Sequence, residues 1–176
     1  MDKIDFKEVQ RFRTYWAWVG VIAANLLFIY AIVQQVLLGI SFGPKPLPNL
    51  ALFLLELVPL LLFIFLCSIR LRTSYDSTGI HYRYLPFQFR TTTIEWHELS
   101  DAYMRGYNSL LEYGGWGIRK GTASTGMAIN TSASSNKGLQ LRFPNGSSLL
   151  IGTRYPGEIE KIISRVMTEG RINRGV

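Results

Sequence analysis

The stretch YWAWVGVIAANLLFIYAIVQQVLLGI, residues 15–40, contains no charged side chain and decides the first element of the fold. An α-helix needs about 20 apolar residues to cross the roughly 30 Å hydrocarbon core of a bilayer. A secretory signal peptide has a shorter apolar run of ~7–15 residues followed by a small-residue cleavage site, and neither property fits this stretch. Residues 15–40 are therefore predicted to form a transmembrane helix.

A second apolar stretch, LALFLLELVPLLLFIFLCSI, covers residues 50–69 and is interrupted only by Glu56 and Pro59. Residues 41–49, SFGPKPLPN, separate the two stretches, and their prolines cannot continue a helix. Buried helices of a soluble core are the alternative, but two apolar runs of this length favour a membrane. The sequence thus predicts a transmembrane hairpin with a short connecting loop.

Basic residues flank this hairpin mainly at its two open ends. Lys3, Lys7, Arg11 and Arg13 precede the first stretch, Arg70 and Arg72 follow the second, and Lys45 alone lies in the loop. The positive-inside rule therefore predicts that both termini are cytoplasmic and that the loop is external. Because this topology accounts for most of the formal net charge of +7, a nucleic-acid partner is not expected.

Glu56 is the acidic residue within the two stretches. A carboxylate at membrane depth is costly and often belongs to a proton path or an ion site, as in a channel or transporter component. In an antiparallel hairpin, its depth matches that of Gln34 and Gln35 on the first helix. We predict that Glu56 hydrogen-bonds one of these amides, with Gln34 as its partner, and that this polar pair fixes how the helices pack.

After residue 69 the hydrophobic pattern changes from continuous to alternating. In GIHYRYL, Ile80, Tyr82 and Tyr84 share one face, and His81 and Arg83 share the other. Further strands are predicted over residues 70–75, 90–96, 101–107, 138–143 and 148–153, and another begins at residue 126. The sequence Pro-Asn-Gly at residues 144–146 is a strong hairpin signal between the last two of the listed ranges.

One amphipathic helix follows the last strand. Pro156 suits its first position, and Ile159, Ile162, Ile163 and Val166 form a single apolar stripe. This order of elements predicts an α+β, mostly β domain: a curled antiparallel sheet or partial barrel of about seven strands, capped by the C-terminal helix. The domain is predicted over residues 70–170, between an N-terminal cytoplasmic segment (1–14) with the hairpin and a tail (171–176).

A glycine-dense stretch, residues 109–130, contains the run EYGGWGIRKG. It matches neither the Gly-x-x-x-x-Gly-Lys-Ser/Thr pattern of a phosphate-binding loop nor Gly-x-Gly-x-x-Gly. We interpret it as a turn-rich connection between strands, since glycine supplies positive φ and close backbone approach. The alternative is an anion site beside the inner leaflet, formed by Arg119, Lys120 and neighbouring backbone amides.

Catalytic and metal-binding patterns are not found in the sequence. Cys67 is the single cysteine, which excludes an internal disulfide and a zinc site built from paired thiolates. No nucleophile–base pair or cofactor loop is recognised, so we predict a protein that is not an enzyme and needs no cofactor.

The whole pattern resembles the bacterial pleckstrin-homology-like (PH-like) domain of small two-span membrane proteins. The resemblance rests on the hairpin, on YGGWGIR at residues 113–119 and on the Ile-Gly-Thr…Pro segment at residues 151–156. It covers nearly the whole chain. It implies an inner-membrane protein in which a short helical hairpin precedes a PH-like domain of about seven strands closed by a C-terminal helix, without a catalytic motif.

Two functions are compatible with these expectations. The first is a membrane-tethered module for protein interaction or self-assembly, with Tyr103, Arg105 and Tyr107 as a candidate partner surface. The second is recognition of anionic lipid head groups, because residues 70–176 contain 14 Lys and Arg against 8 Asp and Glu. Membrane lipids and a protein partner or second copy are therefore the expected partners.

Overall fold

The computed structural model describes residues 5–121, 125–131 and 136–172. The chain forms two compact units. A helical unit comprises Thr14–Ser68, and a β-rich unit comprises Met1–Arg13 together with Ile69–Val176. The helical unit is therefore an insertion in the sequence of the β-rich unit.

The helical unit contains two long apolar helices. Helix α1 covers Tyr15–Ile32 and continues as a π-helical turn over Val33–Leu37, and helix α2 covers Asn49–Ser68 with Pro59 inside it. Within the described residues, these are the helices long and apolar enough to cross a membrane. Only 11% and 17% of their most apolar windows are buried, whereas core helices of a soluble protein are mostly buried. The prediction of two long apolar helices joined by a short loop is confirmed.

The first sheet of the β-rich unit has four antiparallel strands in the order β1-β2-β3-β4. These are β1 (Phe6–Arg11), β2 (Arg70–Tyr75), β3 (Gly79–Leu85) and β4 (Thr92–Glu95). Leu71, Tyr75, Ile80 and Tyr84 are buried on its inner face. The alternation predicted for β3 is confirmed, because Ile80, Tyr82 and Tyr84 are buried while His81 and Arg83 are partly exposed.

The second sheet has five strands in the order β5-β8-β9-β7-β6. These are β5 (Asp101–Gly106), β6 (Gly117–Lys120), β7 (Met127–Asn130), β8 (Lys137–Arg142) and β9 (Ser148–Gly152). A short helix, α3 (Ser109–Tyr113), follows β5, and the C-terminal helix α4 covers Pro156–Thr168. Helix α4 buries Ile159, Ile163 and Val166, which confirms the predicted apolar stripe, and it packs on β5 and β8.

The strand arrangement differs from the prediction in several respects. Nine strands are present among the described residues instead of about seven, and they form two sheets that are not closed into a barrel. A 3-10 turn at Trp96–Glu98 follows β4 directly and separates the two sheets along the chain. Strands β7 and β9 pair in parallel, so the second sheet is not wholly antiparallel. Strand β1, which comes from the N-terminal segment, is not predicted by the sequence analysis.

Buried polar side chains of β1 connect the two sheets. Gln10 is 1% exposed, and its Nε2 donates to the carbonyl of Gly152 at 2.6 Å while its Oε1 accepts from the Thr131 hydroxyl at 3.2 Å. Glu8 accepts from the Thr153 hydroxyl at 2.8 Å and from the Arg154 amide at 2.9 Å. Burial raises the pKa of Glu8, against the opposing effect of these hydrogen bonds. Strand β1 is thus an integral part of the β-rich unit.

Candidate functional site

Both helices connect to the same end of the four-stranded sheet. Arg11, the last residue of β1, lies four positions before Tyr15, and Arg70, the first residue of β2, lies two positions after Ser68. Arg11 pairs with Arg70, and Arg70 pairs with Leu85 at the end of β3. A chain spans at most about 3.5 Å per residue, so Arg11 and Arg70 lie within about 14 Å of the helix ends. We call this end of the sheet the helix-proximal end.

Four arginines lie on the outer face of this sheet, and we call them the basic face: Arg11, Arg70, Arg72 and Arg83. Arg11 is directly opposite Arg70 in the β1–β2 ladder, and Arg72 is directly opposite Arg83 in the β2–β3 ladder. Like charges directly opposite one another destabilise a sheet. Within the described residues, none of the four forms an ion pair with a carboxylate. The sheet therefore concentrates positive charge that its own residues leave uncompensated.

The donors of the basic face are also incompletely used. The Nε atoms of Arg70 and Arg83 are buried and have no hydrogen-bond acceptor among the described residues. Buried polar groups in native proteins are almost always hydrogen-bonded, so these two donors are exceptions among the described residues. A guanidinium group binds phosphate or carboxylate oxygens through paired hydrogen bonds. The basic face thus has the chemistry of an anion site.

A surface groove of about 340 Å³ on the outer side of the sheet includes Arg72 and Arg83. Val9, which is 55% exposed, and His81 also line it. The imidazole of His81 is held between two neighbours: Nε2 lies 2.8 Å from Asp76 Oδ2, and Nδ1 lies 2.9 Å from the hydroxyl of Thr93. This aspartate–histidine–hydroxyl line fixes the ring at the edge of the groove, and the sequence analysis did not predict it.

The opposite, helix-distal end of the sheet is acidic. Its carboxylates are those of Asp5, Asp76, Glu95 and Glu98. Asp76 accepts from the amide of Thr78 at 2.8 Å and from that of Gly79 at 3.1 Å. Although burial alone would raise the pKa of Asp76, hydrogen bonds from Thr78, Gly79 and His81 lower it to about 2. Lys7 and Arg171 are the cations at this end, so carboxylates outnumber cations here, whereas arginines prevail at the end to which both helices are connected in the chain.

The predicted anion-site residues Arg119 and Lys120 are exposed at the end of β6. The Nε of Arg119 donates to the carbonyl of Trp116 at 3.2 Å, and the Trp116 ring lies 5.9 Å from that of Phe12, directly after β1. Burial raises the pKa of Tyr84 to about 12, against the opposing effect of the nearby Arg119 charge. Arg119 thus lies toward the helix-proximal end, although it is not on the basic face.

Four glycine amides of the glycine-dense stretch donate hydrogen bonds within the β-rich unit. Gly114 and Gly115 donate to α3 carbonyls, Gly117 donates to the side chain of Asn130, and Gly121 donates to Gly126. Gly114 has a φ of +68° and ends α3, a conformation that glycine favours. This arrangement supports the interpretation as a turn-rich connection. These four amides are not available for the predicted anion site.

The predicted partner surface is not a single exposed patch. Tyr107 is 5% exposed and packs in a core cluster with Tyr113, Ala128 and Leu150, because it follows the end of β5 and turns inward. Arg105 donates to Glu112 at 2.7 Å and to Gln140 at 2.8 Å. Tyr103 is covered by Arg142, whose guanidinium lies 5.3 Å from the ring centroid. These three side chains stabilise the β-rich unit itself.

The predicted pair between Glu56 and Gln34 does not involve Glu56 Oε2, which is buried and has no hydrogen-bond partner among the described residues. The glutamine with hydrogen bonds across the loop is Gln35. Its Nε2 donates to the carbonyl of Leu47 and to Oδ1 of Asn49, both at 2.7 Å. The π-helical turn at Val33–Leu37 places Gln35 at the loop, where backbone carbonyls offer acceptors.

The basic face is not among the sites predicted from the sequence, because its arginines were interpreted there only as flanks of the membrane hairpin. The alternation Arg70-x-Arg72 and the outward position of Arg83 were readable from the strand pattern. The pairing of Arg11 with Arg70 was not, because it joins residues separated by both helices.

Comparison with known proteins does not assign a family. No protein-family model matches the chain, and no curated protein sequence matches it significantly. The resemblance to PH-like proteins therefore stays a prediction from the hairpin and from residues 113–119 and 151–156. Within the described residues, no group of three or more His, Cys, Asp or Glu side chains is placed to hold a metal ion.

Proposed function

We propose that this chain is a two-span inner-membrane protein whose β-rich unit uses the basic face to bind anionic phospholipid head groups of the cytoplasmic leaflet. One observation carries this proposal. Two arginine pairs, Arg11–Arg70 and Arg72–Arg83, lie across neighbouring strands at the end of the sheet that is connected to both helices. Phosphate oxygens would compensate the repulsion within each pair and would accept hydrogen bonds from the guanidinium groups.

The membrane placement is supported by the exposed surface of the two helices and by the distribution of charge. Their apolar side chains lie mostly at the surface, which is stable only in an apolar surrounding. Basic residues flank the hairpin ends, so both termini are placed in the cytoplasm under the positive-inside rule. The basic face then meets the leaflet that carries the anionic lipids.

The role that fits this geometry is orientation or sensing, and we propose that it is non-enzymatic. A unit already tethered by two helices gains little from further affinity, whereas head-group contacts determine how it lies on the leaflet. Two sheets followed by one C-terminal helix support a PH-like domain as the finer description of the fold. In that description, strand β1 belongs to the domain and the helical hairpin is inserted after it.

The test uses the purified full-length chain in a zwitterionic detergent. Thermal and urea unfolding are measured with increasing phosphatidylglycerol, and phosphatidylcholine serves as the reference lipid. We expect phosphatidylglycerol to stabilise the wild type and Arg11→Gln/Arg72→Gln to lose about 2 kcal/mol of that stabilisation, at about 1 kcal/mol for each basic residue near an anionic surface. Without anionic lipid, the double variant should be at least as stable as the wild type, because one charge of each pair is gone.

The matched control is Arg142→Gln/Arg165→Gln, which removes the same charge from exposed positions on β8 and α4. It should keep the response to phosphatidylglycerol. An equal loss in both double variants would mean that net charge alone matters, and an unchanged response in Arg11→Gln/Arg72→Gln would refute the proposal.

Self-assembly through the hairpin is a second candidate, favoured by the Glu56 side chain, which is partly exposed and whose Oε2 has no hydrogen-bond partner among the described residues. A polar group in hydrocarbon gains from a hydrogen bond to another helix, which a second copy can provide. Glu56→Gln should then change the extent of crosslinking between copies in native membranes. If no crosslinked species forms in the wild type, the carboxyl group has only a role within one hairpin.

A further inference from the structure

The loop between β3 and β4, residues 86–91, extends from the helix-proximal end of the four-stranded sheet. It begins directly after Leu85, which pairs with Arg70, and Arg70 lies two positions after the end of α2. The loop carries two aromatic side chains into the solvent: Phe87 is 59% exposed and Phe89 is 74% exposed. Two large apolar side chains on one short loop are a feature that the β-rich unit alone does not explain.

The conformation of this loop is held by β3. The Phe87 ring stacks on Tyr84 with a centroid distance of 5.6 Å and an interplanar angle of 13°. The amide of Gln88 donates to the carbonyl of Tyr84 at 2.7 Å. Tyr84 is itself 1% exposed, so the contact ties the loop to the core. The aromatic side chains are thus presented from a fixed position.

The charges around the loop match an anionic membrane surface. Arg90 is exposed within the loop. Arg70 of the basic face pairs with Leu85, the residue before the loop, and Arg83 lies two positions before Leu85 on the same strand. The sequence contains no acidic residue between Asp76 and Glu95. Aromatic rings and arginines together are typical of segments that lie at the boundary between head groups and acyl chains.

From this placement we infer that Phe87 and Phe89 insert into the interfacial region of the cytoplasmic leaflet, beside the head groups bound by the basic face. The inference rests on the proposed function for the identity of the leaflet. The occupant of the aromatic surface is the bilayer, because the chain connection to α2 keeps the loop near the membrane and its basic flanks complement anionic lipid. The loop then acts as a third attachment point besides the two helices.

The test measures the depth of a nitroxide label on the full-length chain in nanodiscs. Cysteine is introduced by Arg90→Cys in a Cys67→Ala background, which leaves both aromatic rings in place. The matched control is Ser77→Cys, an exposed position in the turn at the helix-distal end. We expect the label at position 90 to be shielded from a water-soluble relaxation reagent and the label at position 77 to be accessible. Adding Phe87→Ser and Phe89→Ser should abolish the shielding at position 90.

The same samples are measured in discs of phosphatidylcholine and in discs that also contain phosphatidylglycerol. The comparison distinguishes a failure of the loop insertion from a failure of the proposed binding of anionic lipid. A label at position 90 that is as accessible as that at position 77, in a chain still stabilised by phosphatidylglycerol, overturns the insertion and leaves the proposed function standing. Shielding in both lipids without that stabilisation supports the insertion and removes the anionic site. Shielding that survives the two serine substitutions, or that depends on the number of chains per disc, also overturns the insertion.

Discussion

At the scale of single residues, Asp76 is the clearest source of pH dependence. Its carboxylate accepts hydrogen bonds from two backbone amides and the Thr78 hydroxyl, which lower its pKa from 3.8 to about 2 in spite of burial. A depressed pKa in the folded state stabilises the protein above about pH 4, and this stabilisation is lost as pH falls toward 2. Because the side chain is 42% exposed, solvent screening limits the contribution to about 1 kcal/mol.

We therefore expect Asp76→Ala to lower the free energy of unfolding of the β-rich unit by about 1 kcal/mol at neutral pH. The difference from the wild type should shrink between about pH 4 and pH 2, when the wild-type carboxylate is protonated. Urea unfolding of the full chain in detergent over this pH range measures it. Asp5→Ala, which removes an exposed carboxylate paired with Lys7, is the control. A constant difference at all pH values would contradict the assignment.

At the scale of secondary-structure elements, the buried hydrogen bonds of β1 predict that this strand stabilises the contact between the two sheets. Gln10→Ala leaves the Gly152 carbonyl and the Thr131 hydroxyl without their partner in a buried place, which should cost about 2 kcal/mol of unfolding free energy. Val9→Ala is the matched control, since Val9 is exposed on the other face of the same strand and should cost less than about 0.5 kcal/mol. Equal urea midpoints for the two variants would show that β1 does not join the sheets.

Most single elements could be predicted from the sequence, because the spacing of their apolar residues repeats within a short segment. The apolar runs of α1 and α2, the alternation of β3 and the stripe of α4 each lie within one element. Strand β1 could not be predicted, since its partner β2 lies beyond both helices and its buried positions are Glu8 and Gln10. In the sequence, those polar residues are typical of a solvated segment. Their burial is explained only by their hydrogen bonds to Gly152 and Thr153.

Of the candidate site, only its positive charge could be predicted from the sequence. Composition indicated an excess of basic residues in the C-terminal part of the chain, and Arg119 does lie near the helix-proximal end. The Arg11–Arg70 pair depends on the register between strands that both helices separate, which the sequence does not encode locally. The predicted surface around Tyr107 was wrong as an exposed patch because the strand ends at Gly106 and the next ring turns into the core.

At the scale of the whole molecule, the proposed topology predicts which lysines face outward. In a Cys67→Ala background, Lys45→Cys in the loop should react with a membrane-impermeant maleimide added to intact cells. Lys161→Cys on the exposed side of α4 should react only after the cells are permeabilised. The two substitutions remove the same charge, so they differ only in location. Labelling of position 161 in intact cells would invert or abolish the assigned topology.

The insertion of the helical unit between β1 and β2 has a consequence for synthesis on the ribosome. Strand β1 leaves the ribosome before its partner β2, which is translated only after the 55 residues of Thr14–Ser68. At about 5–20 residues per second, the delay is on the order of 3–11 s. During this interval Glu8 and Gln10 lack their final acceptors and donors and stay hydrated. The β-rich unit is therefore completed only after the hairpin has been made, and under the proposed topology this couples the maturation of the unit to the delivery of the helices into the bilayer.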